Sequence, residues 1–100
     1  MALIIRMDGS EEQLDLLNDY SPARLKKLQR AVGGYIEELR LDDGRLLYVN
    51  EEGLLKGLDT NPRATQIVKE HAPQYLWGPI DTIVGDVVLC KKEDFPDEDF

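Results

Sequence analysis

Few residues in this chain of 100 have side chains suited to catalysis. His71 is the only histidine and Cys90 is the only cysteine. His71 lies at the end of a predicted helix, where a solvated side chain is the ordinary interpretation. Cys90 ends a predicted strand, where a buried structural thiol is the ordinary interpretation. Adjacent acids such as Glu51 and Glu52 diverge in an extended segment and form a poor acid–base pair. We therefore predict that the protein is not an enzyme.

The sequence also lacks the patterns that hold cofactors or metals. Gly33 and Gly34 follow a predicted helix rather than preceding one, which is the wrong polarity for binding a phosphate. One cysteine and one histidine do not make a zinc site, and Asp42-Asp43 lacks the alternating acids of an oxygen-ligand loop. We expect no catalytic residues, no metal site and no cofactor.

A mixed set of aromatic, amide and carboxylate side chains is better suited to binding. It falls on two predicted strands and the glycine-containing loop after them, and comprises Tyr35, Glu37, Tyr48, Asn50, Glu51 and Asn61. If the strands pair and the loop folds back, these residues converge on a site for a small polar ligand or a peptide. The alternative is the more ordinary role for each residue taken singly. In it, the tyrosines pack at the sheet edge and the polar groups satisfy the loop backbone.

Strands and helices must position these residues, and the first two strands predicted along the chain form a hairpin. Residues 3–5 are β-prone and end at the turn signal Asp8-Gly9. Alternation around Leu14 and Leu16 predicts the returning strand. A short helix capped by Ser10 is the alternative for this second segment.

A helix follows, and a glycine pair ends it. Ser21 is a good N-cap, and Pro22 fits the first helical position. Gly33 or Gly34 is predicted to have positive φ and to close the helix. Within the helix, the spacing of Leu25, Leu28 and Val32 predicts a stripe that faces the core. The predicted core of the whole chain is Leu25, Leu28, Val32, Ile36, Leu47, Val49, Ile67, Val84 and Val87.

The remaining elements complete an α+β pattern. Strands over 35–41 and 45–50 flank the turn Asp42-Asp43-Gly44, and apolar residues on both faces of the second predict a central strand. A helix over 63–71 follows, which Asn61 and Pro62 start and Pro73 ends, and a last strand over 80–90 comes after it. The order β-β-α-β-β-α-β predicts a single domain over residues 1–90, with two helices packed on one face of a mainly antiparallel sheet. Residues 91–100 are predicted to be a flexible acidic tail.

Composition narrows the classes of partner. Twenty acidic and 12 basic residues give a net charge of −8, which argues against direct binding to nucleic acid phosphate. The same charge permits basic partners, including DNA-binding proteins. No apolar run approaches the roughly 20 residues of a membrane span, and the first residues do not resemble a signal peptide. We therefore expect a cytoplasmic protein that contacts neither nucleic acid nor membrane.

Several short motifs resemble a small family of domains of unknown function that is common in bacteriophages, plasmids and conjugative elements. The motifs are Leu28-Gln29, Val32-Gly33-Gly34-Tyr35-Ile36-Glu37, Asn50-Glu51-Glu52-Gly53, Gly57-Leu58, Asn61, Ala64 and Ile83-Val84-Gly85. The similarity covers about residues 1–90, with no fixed motif from Ala64 to Pro79. It implies an accessory protein of a mobile element, acting in the host cytoplasm, and it implies no reaction.

Three functions are compatible with these observations. The first is a non-enzymatic module that binds a host protein, in host takeover or counter-defence. The second is a sponge for a small ligand such as a nucleotide signal, which needs a pocket with aromatic and polar lining. The third is an acidic DNA mimic that blocks a DNA-binding host protein. The sequence does not indicate an oligomeric state.

Overall fold

Five strands form one antiparallel sheet in the part of the chain that the computed structural model describes, residues 1–17, 19 and 21–96. The strands are β1 (Ala2–Ile5), β2 (Glu11–Leu14), β3 (Ile36–Arg40), β4 (Leu46–Asn50) and β5 (Val87–Cys90). They lie in the order β2-β1-β5-β4-β3. The helices are α1 (Ser21–Val32) and α2 (Pro62–His71), with single 3-10 turns at Pro73–Tyr75 and Lys92–Asp94. The predicted α+β class and element order are confirmed, but the prediction that both helices lie on one face is wrong, because they pack on opposite faces of the sheet.

The sheet has a core on each face because β4 is apolar on both sides. All of its residues are buried. Leu46 and Tyr48 point toward α1, where they meet Leu28 and Val32 of the helix. Leu47 and Val49 point toward α2, in a second cluster that includes residues of that helix. We call these sides the α1 face and the α2 face. Burial on both sides confirms the predicted central position of β4, which lies between β5 and β3.

Helix α1 ends as predicted but faces the core differently. Gly33 has a φ of +79° and follows the helix directly, so the predicted positive-φ closure is confirmed. Leu28 and Val32 are buried, whereas the prediction for Leu25 is wrong, since it is 44% exposed. Arg24 is buried in its place. Its guanidinium lies 5.4 Å from the ring centroid of Phe95 and donates to the carbonyl of Asp19 at 2.7 Å, which compensates for its burial.

Helix α2 is fixed by a fully buried asparagine. The Asn61 Oδ1 accepts a hydrogen bond from the Ala64 backbone N–H at 3.0 Å, so Asn61 is the N-cap, and Pro62 begins the helix. Its Nδ2 donates to the carbonyls of Ile5 and Gly85, at 3.0 and 2.9 Å. One side chain therefore joins the helix start, the end of β1 and the chain just before β5.

The predicted strand over 80–90 is corrected to Val87–Cys90. Its first half leaves the sheet and makes only isolated bridges, Thr60 with Val84 and Trp77 with Ile80. Gly85 has a φ of +81°, and a Cβ there would lie 2.8 Å from Leu58 Cδ1. The positive φ and this close approach turn the chain before β5 starts.

The start of the predicted tail packs on the α1 face. Phe95 is buried and meets the Tyr48 ring edge-on, with 6.3 Å between centroids. Asp94 is buried as well, and its Oδ2 accepts from the Lys91 N–H at 2.8 Å. Residues 91–96 therefore differ from the expected flexible tail and extend the domain beyond the predicted boundary at residue 90. Residues 97–100 lie outside the described part of the chain.

The other core and hairpin predictions are largely confirmed. The second segment of the first hairpin is a strand, with Ala2 opposite Leu14, and the alternative helix is not formed. Of the remaining predicted core residues, Leu47, Val49 and Val87 are buried, while Ile36, Ile67 and Val84 are half-buried. Within the described residues, no helix is long and apolar enough to cross a membrane.

Candidate functional site

A cleft of about 230 Å³ opens on the α2 face beside β3 and β4. It exists because α2 stops early. Pro73 follows the helix, and the chain then crosses the sheet over residues 73–84, as one 3-10 turn and an irregular stretch after it, instead of as α-helix. This segment lines one side of the cleft. The sheet and the loop after β4 line the other. We call this the Trp77 cleft, and the residues that decide its chemistry are Glu37, Leu39, Glu51, Leu54, Tyr75 and Trp77.

Hydrogen bonds attach the crossing segment to the sheet and to α2. The Tyr75 hydroxyl accepts from the Arg40 backbone N–H of β3 at 3.1 Å. Within the segment itself, the Ile80 N–H donates to the Trp77 carbonyl at 3.0 Å. Farther along, the Ile83 N–H donates to Thr65 Oγ1 at 2.9 Å, and the Asn61 N–H donates to the Ile83 carbonyl at 2.8 Å. The wall of the cleft is thus held at both ends.

The Trp77 cleft combines exposed apolar surface with negative charge. Trp77 is 67% exposed and Leu54 is 58% exposed. Glu37 and Glu51 are exposed too, and no residue among those described forms an ion pair with either. No Lys, Arg or His is found among the described lining residues. Other acids in the fold have cationic partners, for example Asp86 with Arg6 at 3.1 Å.

The structure brings three of the six predicted site residues to this cleft. Glu37 on β3, Asn50 at the end of β4 and Glu51 just after it all line the cleft. The amide of Asn50 is already used by the fold, since Nδ2 donates to the Val32 carbonyl at 3.0 Å and Oδ1 accepts from the Glu52 N–H at 2.9 Å. Glu37 and Glu51 therefore offer the free polar groups.

The other three predicted residues lie elsewhere. Tyr48 is buried on the α1 face, and its hydroxyl donates to Glu38 Oε1 at 3.1 Å. Asn61 is the buried cap of α2. Tyr35 is 66% exposed just before β3 but does not line the Trp77 cleft. The convergence of all six predicted from the sequence does not occur. Tyr48 lies opposite Glu38 in the ladder and therefore faces the other side of the sheet from Glu37, and Asn61 is buried as a helix cap.

Sequence reasoning missed the aromatic wall of the cleft. Trp77 and Tyr75 lie between Pro73 and Pro79, in a stretch without helical or strand periodicity. One signal was present, because the only tryptophan of the chain sits in a proline-bounded segment where no regular element buries it. An aromatic residue on an irregular segment is a common component of binding surfaces.

Three potential metal ligands meet where the β3–β4 turn touches the end of α2. His71 Nδ1 lies 2.9 Å from Asp42 Oδ1 and 3.7 Å from Asp43 Oδ2. Partial burial alone would raise the pKa of Asp43, but hydrogen bonds from the backbone and side chain of Arg45 outweigh it and lower that pKa. The Asp43 carboxylate already forms an ion pair with Arg45, whose Nε lies 2.8 Å from Asp43 Oδ2. The trio could supply one nitrogen and two carboxylate oxygens to a cation.

A second cleft of about 570 Å³ lies beside the same turn. It is lined by four basic side chains and two acids, namely Arg40, Arg45, Lys91, Lys92, Asp43 and Glu93. Two of these bases are engaged already, since Arg45 pairs with Asp43, and Arg40 Nε lies 3.3 Å from Glu38 Oε2. The opposite sign of charge separates this basic cleft from the Trp77 cleft.

Cys90 is fully buried on the α1 face. Burial raises the pKa of its thiol strongly, and the nearby carboxylates of Asp94 and Glu38 raise it further. A thiol that resists ionisation is a poor nucleophile.

The comparisons with known proteins give a family and no activity. A search of the curated proteins and a search of the solved structures each found no match. The family model described as "Domain of unknown function (DUF3846)" matches residues 1–100. Because this match covers the chain from end to end, the protein belongs to the DUF3846 domain family.

Proposed function

We propose that this protein is a non-enzymatic binding module, and that the Trp77 cleft takes up a positively charged, partly apolar segment of a partner protein. The observation that carries the proposal is the pairing of two uncompensated carboxylates, Glu37 and Glu51, with the exposed side chains of Trp77 and Leu54. Fold stability does not require an indole in water, so its exposure favours a role in contact with something else.

The chemistry of the cleft selects the class of segment. A Lys or Arg side chain is attracted to the face of an indole by about 0.5–2 kcal/mol, depending on its desolvation. Carboxylates beside the ring orient that cation, and Leu54 offers surface to the apolar part of the segment. The protein's net charge of −8 also speeds the approach of a basic partner.

The biological setting extends this proposal. The motif resemblance supports an accessory protein of a bacteriophage, plasmid or conjugative element. In that setting the partner is a host protein in the host cytoplasm, and the outcome is host takeover or counter-defence.

A peptide selection with a fluorescence readout tests the binding proposal. Random peptides of about ten residues are displayed and selected against the whole chain, and the winners are titrated while Trp77 emission is followed. We expect peptides rich in Lys or Arg with aromatic or aliphatic neighbours. Trp77→Ala, followed by calorimetry, and the double variant Glu37→Gln/Glu51→Gln should each weaken binding about tenfold or more.

Matched controls separate the cleft from general surface effects. Leu55 is 89% exposed and Glu70 is exposed on α2, and both lie outside the Trp77 cleft. Leu55→Ala and Glu70→Gln should therefore leave peptide affinity unchanged. If no peptide is selected, or if the cleft variants bind as well as the wild-type chain, the proposed function is wrong.

The basic cleft favours a second candidate function, the capture of a small anion such as a nucleotide signal. Its four cationic side chains suit phosphate groups, which the acidic Trp77 cleft would repel. Calorimetric titration with ATP and with a cyclic dinucleotide tests this sponge hypothesis. Binding that is lost in Lys91→Gln/Lys92→Gln and kept in Trp77→Ala would support the sponge over the module.

The acidic DNA mimic stays a prediction. The carboxylates proposed for it, Asp97, Glu98 and Asp99, lie outside the described residues. Reversing all three charges to Lys tests the mimic in a binding assay with the partner. Loss of binding in this variant, with the cleft variants fully active, would replace the module by the mimic.

A further inference from the structure

The edge of the sheet beside the Trp77 cleft presents backbone groups without partners. Among the described strands, β3 is an edge strand and pairs with β4 alone. The Glu51 N–H donates to the Tyr35 carbonyl at 2.9 Å, and the Leu41 N–H donates to the Arg45 carbonyl at 3.0 Å. Hydrogen-bonded and non-hydrogen-bonded pairs alternate along an antiparallel ladder. These two bonds therefore fix the phase of the ladder, that is, which residues of β3 direct their backbone groups toward β4 and which direct them away. The residues between, Ile36, Glu38 and Arg40, direct their N–H and C=O groups outward.

One of these outward groups confirms the phase independently. The Arg40 N–H is the donor to the Tyr75 hydroxyl, which lies outside the strand pair. Among the described residues, none forms a hydrogen bond from outside the hairpin to the backbone of Ile36 or Glu38. The N–H and C=O groups of Ile36 and Glu38 are thus open to a partner. They belong to alternate residues of one edge strand, which is the arrangement that an added strand requires.

The edge and the cleft are parts of one surface. Glu37 and Leu39 of β3 point into the Trp77 cleft, while the side chains of Ile36 and Glu38 point to the α1 face. A strand added to β3 continues the sheet, so every second side chain of that strand lies on the cleft side, next to Glu37. Backbone pairing would then give affinity, and the cleft would give specificity for alternate side chains.

We propose that the partner segment binds as an added antiparallel or parallel strand on β3, with basic side chains at alternate positions entering the Trp77 cleft. This inference rests on the proposed function and specifies how the segment binds. Charge argues for a foreign basic segment over a second copy of this chain. Two copies joined at β3 would bring Glu37 and Glu38 of each together, with a net charge of −8 on each chain.

The opposite edge provides a matched control. On β2, the Arg6 N–H donates to the Ser10 carbonyl at 2.9 Å, and this phase turns the backbone groups of Glu11 and Gln13 outward. The acids on this edge are held by the fold, since Glu11 pairs with Arg63 and Glu12 lies 2.5 Å from Arg6 Nη2. Neither described cleft includes a residue of β2. A partner strand therefore has backbone sites on β2, but the acids described on this edge are compensated and both described clefts lie elsewhere.

Proline substitution at the two edges tests the strand. Glu38→Pro removes an outward N–H and places a ring there, without removing a backbone hydrogen bond to β4. It also removes the carboxylate that accepts from the Tyr48 hydroxyl, and Glu38→Ala, which shares that loss but keeps the N–H, is its control. With a peptide selected as described above as the probe, we expect Glu38→Pro to weaken affinity about tenfold, as for one or two lost hydrogen bonds. Gln13→Pro on the control edge should bind with wild-type affinity. Equal affinity of Glu38→Pro and the wild-type chain would overturn the proposal.

Backbone methylation of the same peptide keeps the test decisive if Glu38→Pro does not fold. An added strand uses the N–H groups of alternate residues only. N-methylation in one register should therefore weaken binding about tenfold, and methylation shifted by one residue should leave binding nearly unchanged. A scan without this alternation would reject strand addition. If Trp77→Ala still abolishes binding in that case, the binding module survives and only its mode is wrong; if no variant affects binding, both fail.

Discussion

The two faces of the sheet are covered in different ways. The α1 face is sealed by the 12 residues of α1 and by Phe95, which packs edge-on against Tyr48. The α2 face has only the 10 residues of α2, and the irregular crossing segment 73–84 covers the rest. On the first face even a charged side chain, Arg24, is buried and paired. On the second, Trp77 and two glutamates remain open to solvent.

This difference indicates which residues serve the fold and which are available for contact. A helix buries a continuous stripe and satisfies its own backbone, so the face beneath it closes. A crossing segment without regular structure ties itself down at a few points and leaves space between them. The side chains that the fold neither buries nor pairs lie in that space. Substitutions on the two faces should therefore separate stability from binding.

The largest effect is expected for Asn61→Ala, at the point where the α2 face is anchored. The change removes three hydrogen bonds and leaves a buried N–H and two buried carbonyls without this partner. At about 1–2 kcal/mol for each group, we expect a loss of about 4 kcal/mol in the free energy of unfolding, measured by urea denaturation. Asn50→Ala, with two such bonds, should lose about two-thirds as much. Equal, small losses in both variants would show that Asn61 is no anchor.

A smaller effect is expected for Leu28→Ala on the sealed face. Leu28 is buried between α1 and the sheet, and its truncation should cost about 3 kcal/mol through lost burial and the cavity left behind. Leu25→Ala is the control on the same helix. Because Leu25 is 44% exposed, its truncation should cost less than about 1 kcal/mol. If thermal melts show a larger loss for Leu25→Ala than for Leu28→Ala, Leu25 faces the core as the sequence predicted, and the observed orientation of α1 is wrong.

Local signals in the sequence were sufficient for the elements. Asn61-Pro62 predicted the start of α2, and Gly33 predicted the end of α1, because caps depend on the chemistry of adjacent residues. The face of α1 required more. Arg24 takes the buried position instead of Leu25 because Phe95, far along the chain, receives its guanidinium. The hydrophobic periodicity within α1 cannot reveal a partner that lies about 70 residues away in the sequence.

The candidate site was less predictable, for a related reason. Glu37 and Glu51 were identified from their type and from the hairpin, and they do line the cleft. Trp77 was not, because its segment shows no period and meets β3 only through tertiary contacts such as that of Tyr75 with Arg40. Likewise Asn61 was assigned to binding, whereas its partners Ile5 and Gly85, 56 and 24 residues away, make it structural.

The burial of Cys90 on the sealed face predicts a dependence of stability on pH. Its thiol pKa is raised in the folded state, so above about pH 8.5 the unfolded chain loses a proton that the folded chain keeps. The contribution of the Cys90 thiol to the free energy of unfolding is therefore fully present below about pH 8.5, and it decreases as the pH rises above that value. At about pH 9.5 the wild-type chain should have lost about 1.4 kcal/mol relative to neutral pH from this group. Cys90→Ala, followed by urea denaturation over the same range, should lack this part of the slope, and identical slopes would contradict the burial.

The smallest effect on stability is expected for Trp77→Ala on the open face. The indole is 67% exposed, so its removal forfeits little buried area and should change the free energy of unfolding by less than about 0.5 kcal/mol. Tyr75→Phe is the useful companion, because it removes the hydroxyl that holds the crossing segment at Arg40 while keeping the ring. It should cost about 1 kcal/mol and loosen the cleft wall. Trp77 emission in the wild-type chain should resemble that of a solvated indole and shift on peptide binding. A buried emission spectrum, or a loss of several kcal/mol in Trp77→Ala, would mean that the indole belongs to a closed core, and the two faces would then no longer differ.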